Sequence, residues 1–396
     1  MPWNESDRMD ERLRFVARIL EGEKMSVACR EFGISRKTGY KIYNRYREAG
    51  IKGLEDRDRS PYRHPNKTPF QIEKSILRLK KEHSTWGAPK IQEKLEKEFP
   101  MLRLPAVSTI HSILDRHGLV KRRKRKRHRA QGTPLNDAQS PNELWCADFK
   151  GQFRLGNKRY CYPLTITDYR SRYLLACEGL ESVKEQGAFP VFERTFKEFG
   201  LPAAIRTDNG VPFSSPHALF GLSKLSVWWL RLGISIERIK PGCPQQNGRH
   251  ERMHLTLKNE ATKPPRFNFL QQQERFDEFI EGYNNDRPHQ GLGGLYPAEV
   301  YTPSARPFFY PETPDYPCHE RVIKVTQCGR ICIGRRKIQF STVFAGQYVG
   351  VREVADEVWL VSFMEYDLGF FDRTVNRVEP VGENPFAQKV LPMCSE

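Results

Sequence analysis

Residues 121–129 read KRRKRKRHR, and eight of these nine residues are Lys or Arg. No apolar core can hold such a run, because buried charges without partners are costly. The run therefore divides the chain. Before it, apolar residues recur at helical spacing. After the segment QGTPLNDAQSP, residues 131–141, they fall into strand-like alternation. The fold expected is multidomain, with N-terminal all-α modules, a central α/β core with a mixed sheet, and a small β-rich C-terminal domain. The divisions expected are 1–55 and 67–119 as helical modules, 120–141 as a basic linker, 142–303 as the core, and 319–382 as a small β-barrel-like domain.

Lys and Arg number 65 and Asp and Glu 48, so the net charge is 65 − 48 = +17. Such an excess favours a polyanionic partner, either nucleic acid or an anionic membrane surface. No apolar run is long enough to span a bilayer, and MPWNESDRMDERLR carries no signal-peptide core. Nucleic acid is the partner expected, with a cytoplasmic, nucleoid-associated location and no membrane. The nine cysteines form no CxxC pair and are read as reduced thiols with no disulfide partner. Cys328 and Cys332 are four apart, with no second ligand pair near them for zinc.

In SVACREFGISRKTGYKIYNRY, Gly33 stands where a tight turn needs positive φ, Cys29 is small enough for two helices to cross, and Ser35 can cap the next helix. That helix would present Arg36, Lys37, Thr38, Tyr40 and Lys41, as in a helix-turn-helix whose second helix enters the major groove. The same spacing also fits an ordinary helical hairpin. Residues 68–118 read as three further helices, a weaker second case. The run that includes Lys121, Arg122, Arg123, Lys124 and Arg125 is read as a solvated tether that can track phosphates.

Three carboxylates stand out beyond the linker. Asp148, in WCADFKG, lies on a predicted strand among apolar neighbours. Asp208, in RTDNG, ends another strand, although an Asp-Asn-Gly turn explains it equally well on its own. Glu251 follows PGCPQQNGRH, a loop of two prolines, two glycines and side-chain amides that leads into a helix. Each comes from a different element. Three converging carboxylates with no His or Cys partners favour a hard cation, Mg²⁺ or Mn²⁺, and two such ions can clamp the oxygens of an in-line phosphoryl transfer. Asn247, Glu251 and Lys258 are four and seven apart and share one side of the helix, with His254 close by.

Taken in order, WCADF, TDYRSRY, RTDNG, PGCPQQNGRHERMHLTLKNE and YNNDRPHQGLGGLYPAEVY resemble the core of DDE transposases and retroviral-type integrases, over roughly residues 140–300. The order of helix-turn-helix, basic linker, core and β-rich tail resembles bacterial insertion-sequence transposases. The resemblance implies a ribonuclease H-like core and catalytic positions at Asp148, Asp208 and Glu251. It also implies that Asn247, His254 and Lys258 contact DNA. In one respect the chain departs from many relatives. Between Asp208 and Glu251 lie 251 − 208 − 1 = 42 residues, a longer interval than usual. An enlarged helix within SSPHALFGLSKLSVWWLRLG is expected to hold the excess. Glu237 and Glu260 are the other carboxylates in range, but neither follows the P-x-x-N-G-x-x-E pattern.

The activity implied is metal-dependent 3′-end cleavage of mobile-element ends and their strand transfer into target DNA, with two Mg²⁺ or Mn²⁺ ions as cofactors. The partners expected are double-stranded DNA, as element ends and target, and further copies of the chain. A helix-turn-helix transcriptional regulator, or an inactive transposase copy with an inert core, is the alternative.

Overall fold

The computed structural model describes residues 8–56, 68–120, 135, 137–216, 218–240, 242–333, 335–372, 377–382 and 384–386. The chain forms two compact units, Met1–Thr68 and Pro69–Glu396.

In the first unit, α1 (Arg8–Leu20), α2 (Met25–Glu31) and α3 (Arg36–Ala49) close over Phe15, Val16, Ala28, Cys29 and Leu54. Gly33 takes φ +63° in the turn between α2 and α3. Ser35 then caps α3, its Oγ accepting from Thr38 N–H at 3.2 Å. Gly39, buried on the inner face of α3, lies so close to Cys29 that any side chain would collide with the sulfur. The two small residues therefore set the approach of α2 to α3.

The second unit begins with α4 (Phe70–Glu82), α5 (Ala88–Glu98) and α6 (Val107–Arg116), packed around Ile76, Leu79, Trp86, Ile91, Leu95 and Ile110. Gly118, at φ +66°, follows the end of α6. This bundle leans on the rest of the unit through polar contacts. Lys94 pairs with Asp286, Lys97 with Glu299 at 2.5 Å, and Thr85 donates to Glu260 at 2.5 Å.

The central sheet contains β1 (Leu144–Phe149), β2 (Phe153–Arg154), β3 (Tyr160–Asp168), β4 (Leu174–Leu180), β5 (Ala204–Thr207) and β6 (Ser235–Arg238). Its order is β2-β3-β1-β5-β6, with β4 also paired to β3. The β1–β3 and β3–β4 pairs are antiparallel, and β1–β5 and β5–β6 are parallel. This mixed sheet agrees with the ribonuclease H-like expectation. Between β4 and β5 runs α7 (Glu185–Phe199), whose phenylalanines meet α8 (Lys224–Arg231). Phe192 lies edge-on to Trp229 at 4.9 Å, and Phe196 stacks on Trp145 of β1. Next come α9 (Gly248–Glu260), α10 (Phe269–Asn285) and α11 (Pro297–Val300).

The long interval before Glu251 does not hold an enlarged helix. Among the described residues, 211–216 and 218–222 form turns and one short 3-10 segment, Leu219–Gly221, and α8 has only eight residues. Pro212, Pro216 and neighbouring serines favour turns over helix. Ser223 starts α8 with a reciprocal cap to Ser226.

After residues 301–318, which contain no helix or strand, come β7 (Arg321–Lys324), β8 (Arg330–Ile333), β9 (Arg336–Gln339), β10 (Tyr348–Ala355), β11 (Val358–Phe363), β12 (Tyr366–Asp372) and β13 (Glu379–Pro380). They make a five-stranded sheet, β13-β12-β11-β10-β7, and a separate β8–β9 hairpin. Strand pairing among the described residues does not close them into a barrel. No helix is long and apolar enough to cross a membrane among the described residues.

Candidate active site

Asp148 leaves the end of β1. Directly opposite it on β3 is Thr165, whose hydroxyl donates to the Asp148 carbonyl at 3.0 Å. Asp208 is the first residue past β5. Its Oδ1 accepts from Gly210 N–H at 3.1 Å, and a Cβ on Gly210 would sit 3.0 Å from Oδ2. The Asp-Asn-Gly turn is thus present, and it holds the carboxylate in place.

Glu251 stands exposed in the first turn of α9, and the loop before that helix is firmly held. Gln246 accepts from Lys240 N–H at 2.7 Å, and its carbonyl accepts from Arg206 Nη1 at 3.2 Å. Arg206, fully buried on β5, also binds Glu237 of β6 at 2.8 Å. Glu237 is therefore part of a buried ion pair. Glu260, at the far end of α9, pairs with Arg287 at 2.7 Å and accepts from Thr85. Glu251 forms no ion pair with any described residue.

Asp148 feels both of the other carboxylates. Burial pushes the Asp148 carboxyl up to about 7, and the charges of Asp208 and Glu251 add to the effect. The Phe149 N–H and the Lys150 ammonium oppose it. Burial raises Asp208 as well. Lys150 is itself lowered by burial and by Lys258, which places a second ammonium beside the cluster. Carboxylate oxygens suit a hard divalent cation, yet the site is not free of histidine as expected: two histidines bring ligand atoms close to Asp148.

Two histidines of α9 lie behind Asp148. His250 and His254 are buried, with ring centroids 4.6 Å apart. Both Nε2 atoms reach Thr165 Oγ1, at 2.8 and 2.7 Å, and His250 Nδ1 meets Thr167 Oγ1 at 2.7 Å. His254 Nδ1 faces Asp148 Oδ2 at 3.7 Å. Ligand atoms of Asp148, His250 and His254 lie within 4.8 Å of one another. Burial holds both rings neutral, with His250 pushed down to about 3. The sequence reading passed over His250, Thr165 and Thr167. Their signal was faint: a histidine pair at i, i+4 and a threonine pair at i, i+2.

The other expected contacts are spread out. Lys258 is exposed on α9, whereas Asn247 and His254 are buried. Arg36, Lys37, Thr38, Tyr40 and Lys41 are all exposed on α3. Lys121, Arg122, Arg123, Lys124 and Arg125 lie outside the described residues.

Residues 138–244 and 232–297 match two integrase core domain families. Residues 11–62 match a helix-turn-helix domain, and 38–114 a homeodomain-like domain. The chain thus carries an integrase core domain with helix-turn-helix domains ahead of it, in agreement with the resemblance to DDE-type transposases and integrases. Among its relatives is the insertion element IS476 uncharacterized 39.2 kDa protein of Xanthomonas euvesicatoria, 25% identical over 284 residues, or 71% of this chain and 79% of that one. Another is the insertion element IS407 uncharacterized 31.7 kDa protein of Burkholderia multivorans, 28% identical over 201 residues, or 48% and 67%. The HTLV-2 integrase catalytic core domain in complex with magnesium (trimeric form) is 16% identical, with a TM-score of 0.33, over 42% of this chain and 100% of that one.

Proposed function

We propose that the chain is a DNA transposase that cleaves mobile-element ends at their 3′ side and transfers them into target DNA, with Asp148, Asp208 and Glu251 as the catalytic triad. The observation that supports this reading most is that Asp148 and Asp208 sit at the ends of adjacent parallel strands, with the charges of Asp208 and Glu251 both acting on the Asp148 carboxyl. The triad would hold Mg²⁺ or Mn²⁺, two ions in all. When bound, these supply Lewis-acid activation of the attacking oxygen and stabilisation of the leaving one.

In the first step a water oxygen bonds to phosphorus as the 3′ oxygen leaves, giving a free 3′-OH. In the second step that hydroxyl bonds to a target phosphorus and a target 3′ oxygen leaves. One phosphodiester replaces another, so the transfer needs no energy source, and no side-chain nucleophile is required. Asp148 and Asp208 are set by the sheet, and Glu251 by the anchored loop. Lys150 and Lys258 lie beside the cluster, where an ammonium can meet a substrate phosphate. The exposed face of α3, with Arg36, Lys37, Thr38, Tyr40 and Lys41, would read element ends. Pairing two ends calls for at least two copies of the chain.

The test is an incubation with Mn²⁺ or Mg²⁺, labelled duplexes of the DNA flanking the coding region, and a plasmid target. Joined product from wild type and none from Glu251→Gln is the expected result. Binding without joining from either protein would leave a helix-turn-helix regulator or an inactive copy.

A further inference from the structure

Beside the catalytic helix lies a groove of about 910 Å³. The first turn of α5, the face of α9 next to Glu251 and the segment just after α10 line it, together with Lys80 at the end of α4, the loop that follows, residues of and after α6, and Arg172. Its charge is one-sided. Lys80, Lys90, Arg172, Arg249, Arg252 and Arg287 face only Glu93 and Glu260.

Some of these cations have work inside the fold. Arg287 pairs with Glu260, Arg249 stacks on Tyr169 at 4.1 Å, and Lys80 donates to the carbonyls of Ser84 and Trp86. Lys90, Arg172 and Arg252 make no hydrogen bond or ion pair with any described residue. The contrast is clearest on α5. Lys90, Lys94 and Lys97 share a face at i, i+4 and i+7. Lys94 and Lys97 end on Asp286 and Glu299, and Lys90 ends in the groove.

Two further atoms are unprovided for. Arg172 Nε and His289 Nε2 are buried without a hydrogen-bond partner, and His289 is only 7% exposed. Burial, with Arg287 and Arg252 adding to it, lowers the Lys90 ammonium to about 7. A fold that gathers unpaired cations in a concave, partly dry place bears a repulsion that an incoming polyanion removes.

We propose that this groove clamps the phosphate backbone of a DNA duplex, with Lys90, Arg172 and Arg252 as the phosphate contacts. The occupant is DNA rather than a small anion because the groove shares its wall with the catalytic helix. Arg252 follows Glu251 directly, about 100° around the helix axis, so a strand in the groove continues to the carboxylates. The assignment rests on the DNA-transfer reading of Glu251, and the experiment separates the two.

The test uses the full chain, a fluorescent duplex of the flanking DNA, and binding measured across NaCl concentrations. Lys90→Gln/Arg252→Gln is compared with wild type and with the charge-keeping Lys90→Arg/Arg252→Lys. Each lost phosphate contact flattens the slope of log K against log salt by about 0.9, so the double glutamine variant loses roughly 2 and binds on the order of 30-fold more weakly at 0.15 M. The charge-keeping variant holds the wild-type slope. If the glutamine pair does not fold, as judged by circular dichroism, Arg252→Glu alone carries the test, because Arg252 is exposed. An unchanged slope overturns the clamp. So does inorganic phosphate that displaces the duplex at equal affinity, which would mark a small-anion site. Strand transfer by wild type with an unchanged slope in the variant would sink the clamp alone. A flattened slope with no strand transfer by wild type would sink the catalytic reading alone.

Discussion

His254 turns its Nδ1 toward the Asp148 carboxylate at 3.7 Å while its Nε2 rests 2.7 Å from Thr165 Oγ1. Proton counting fixes the state of the ring. Thr165 has one hydroxyl proton and gives it to the Asp148 carbonyl, so its oxygen accepts from both histidine Nε2–H groups. His254 Nδ1 is then left without a proton, facing the Asp148 carboxyl. Removing the hydroxyl with Thr165→Val strands two buried donors, at a cost of roughly 2 kcal/mol or more in urea unfolding. A loss under about 0.5 kcal/mol would show that the network does not hold the rings.

Crowding of the carboxylates gives a metal-dependent prediction. The folded Asp148 value, about 7, lies above the ordinary 3.8. Its ionisation therefore opposes folding: the penalty is absent below the ordinary value, grows as pH climbs from there to about 7, and is full above it. At pH 8 without metal, Asp148→Asn melts higher than wild type. Added Mg²⁺ raises the wild-type Tm and leaves the variant unmoved. Equal Mg²⁺ responses would remove Asp148 from the cation site.

Among the glutamates, Glu251→Gln is expected to lower strand transfer by more than about 100-fold, since loss of a ligand exceeds the usual cost of losing an outer partner. Its Tm stays within a degree or two, as suits an exposed residue with no ion pair among the described residues. Steady-state joining assays and calorimetry on the same preparation report both numbers.

Glu237→Gln behaves in the opposite way. It breaks the buried pair with Arg206 and leaves a guanidinium uncompensated, costing roughly 3–5 kcal/mol. Chemical denaturation shows this directly. A near-neutral result would mean that Arg206 is balanced by its other contacts.

Gly39→Ala tests the first unit. The added methyl meets the Cys29 sulfur, and overpacking of this kind costs roughly 1–3 kcal/mol. Duplex binding weakens with it. Cys29→Ala in the same chain relieves the clash and restores binding, and failure of that rescue would count against the crossing of α2 and α3 as the cause.

Asp148 and Asp208 were legible as residues at strand ends, where strand patterning and a turn motif mark them. Glu251 was not singled out by local pattern, since an exposed helical glutamate is commonplace. Its rigid approach loop and the family resemblance supplied the signal. Glu237 and Glu260 became distinguishable only once their arginine partners, 31 and 27 residues away, were in view. Within SSPHALFGLSKLSVWWLRLG a helix is present as expected, but it is the eight-residue α8 rather than an enlarged one, with a short 3-10 segment ahead of it. The histidine–threonine network depends on which β3 residues face α9. The basic groove depends on α5 meeting α9, more than 150 positions later in the chain. Neither relation has a local trace.

The parallel pairing of β1 with β5 sets Cys146 against Arg206, and Asp148 and Asp208 each follow two residues later in the chain. Neighbouring strands run about 4.8 Å apart in any sheet. The backbone ladder therefore acts as a gauge block for two of the three carboxylates, and side chains elsewhere in the core can drift without resetting it. Only the glutamate rides on a separately mounted part, so calibration of the whole instrument comes down to the seating of one helix.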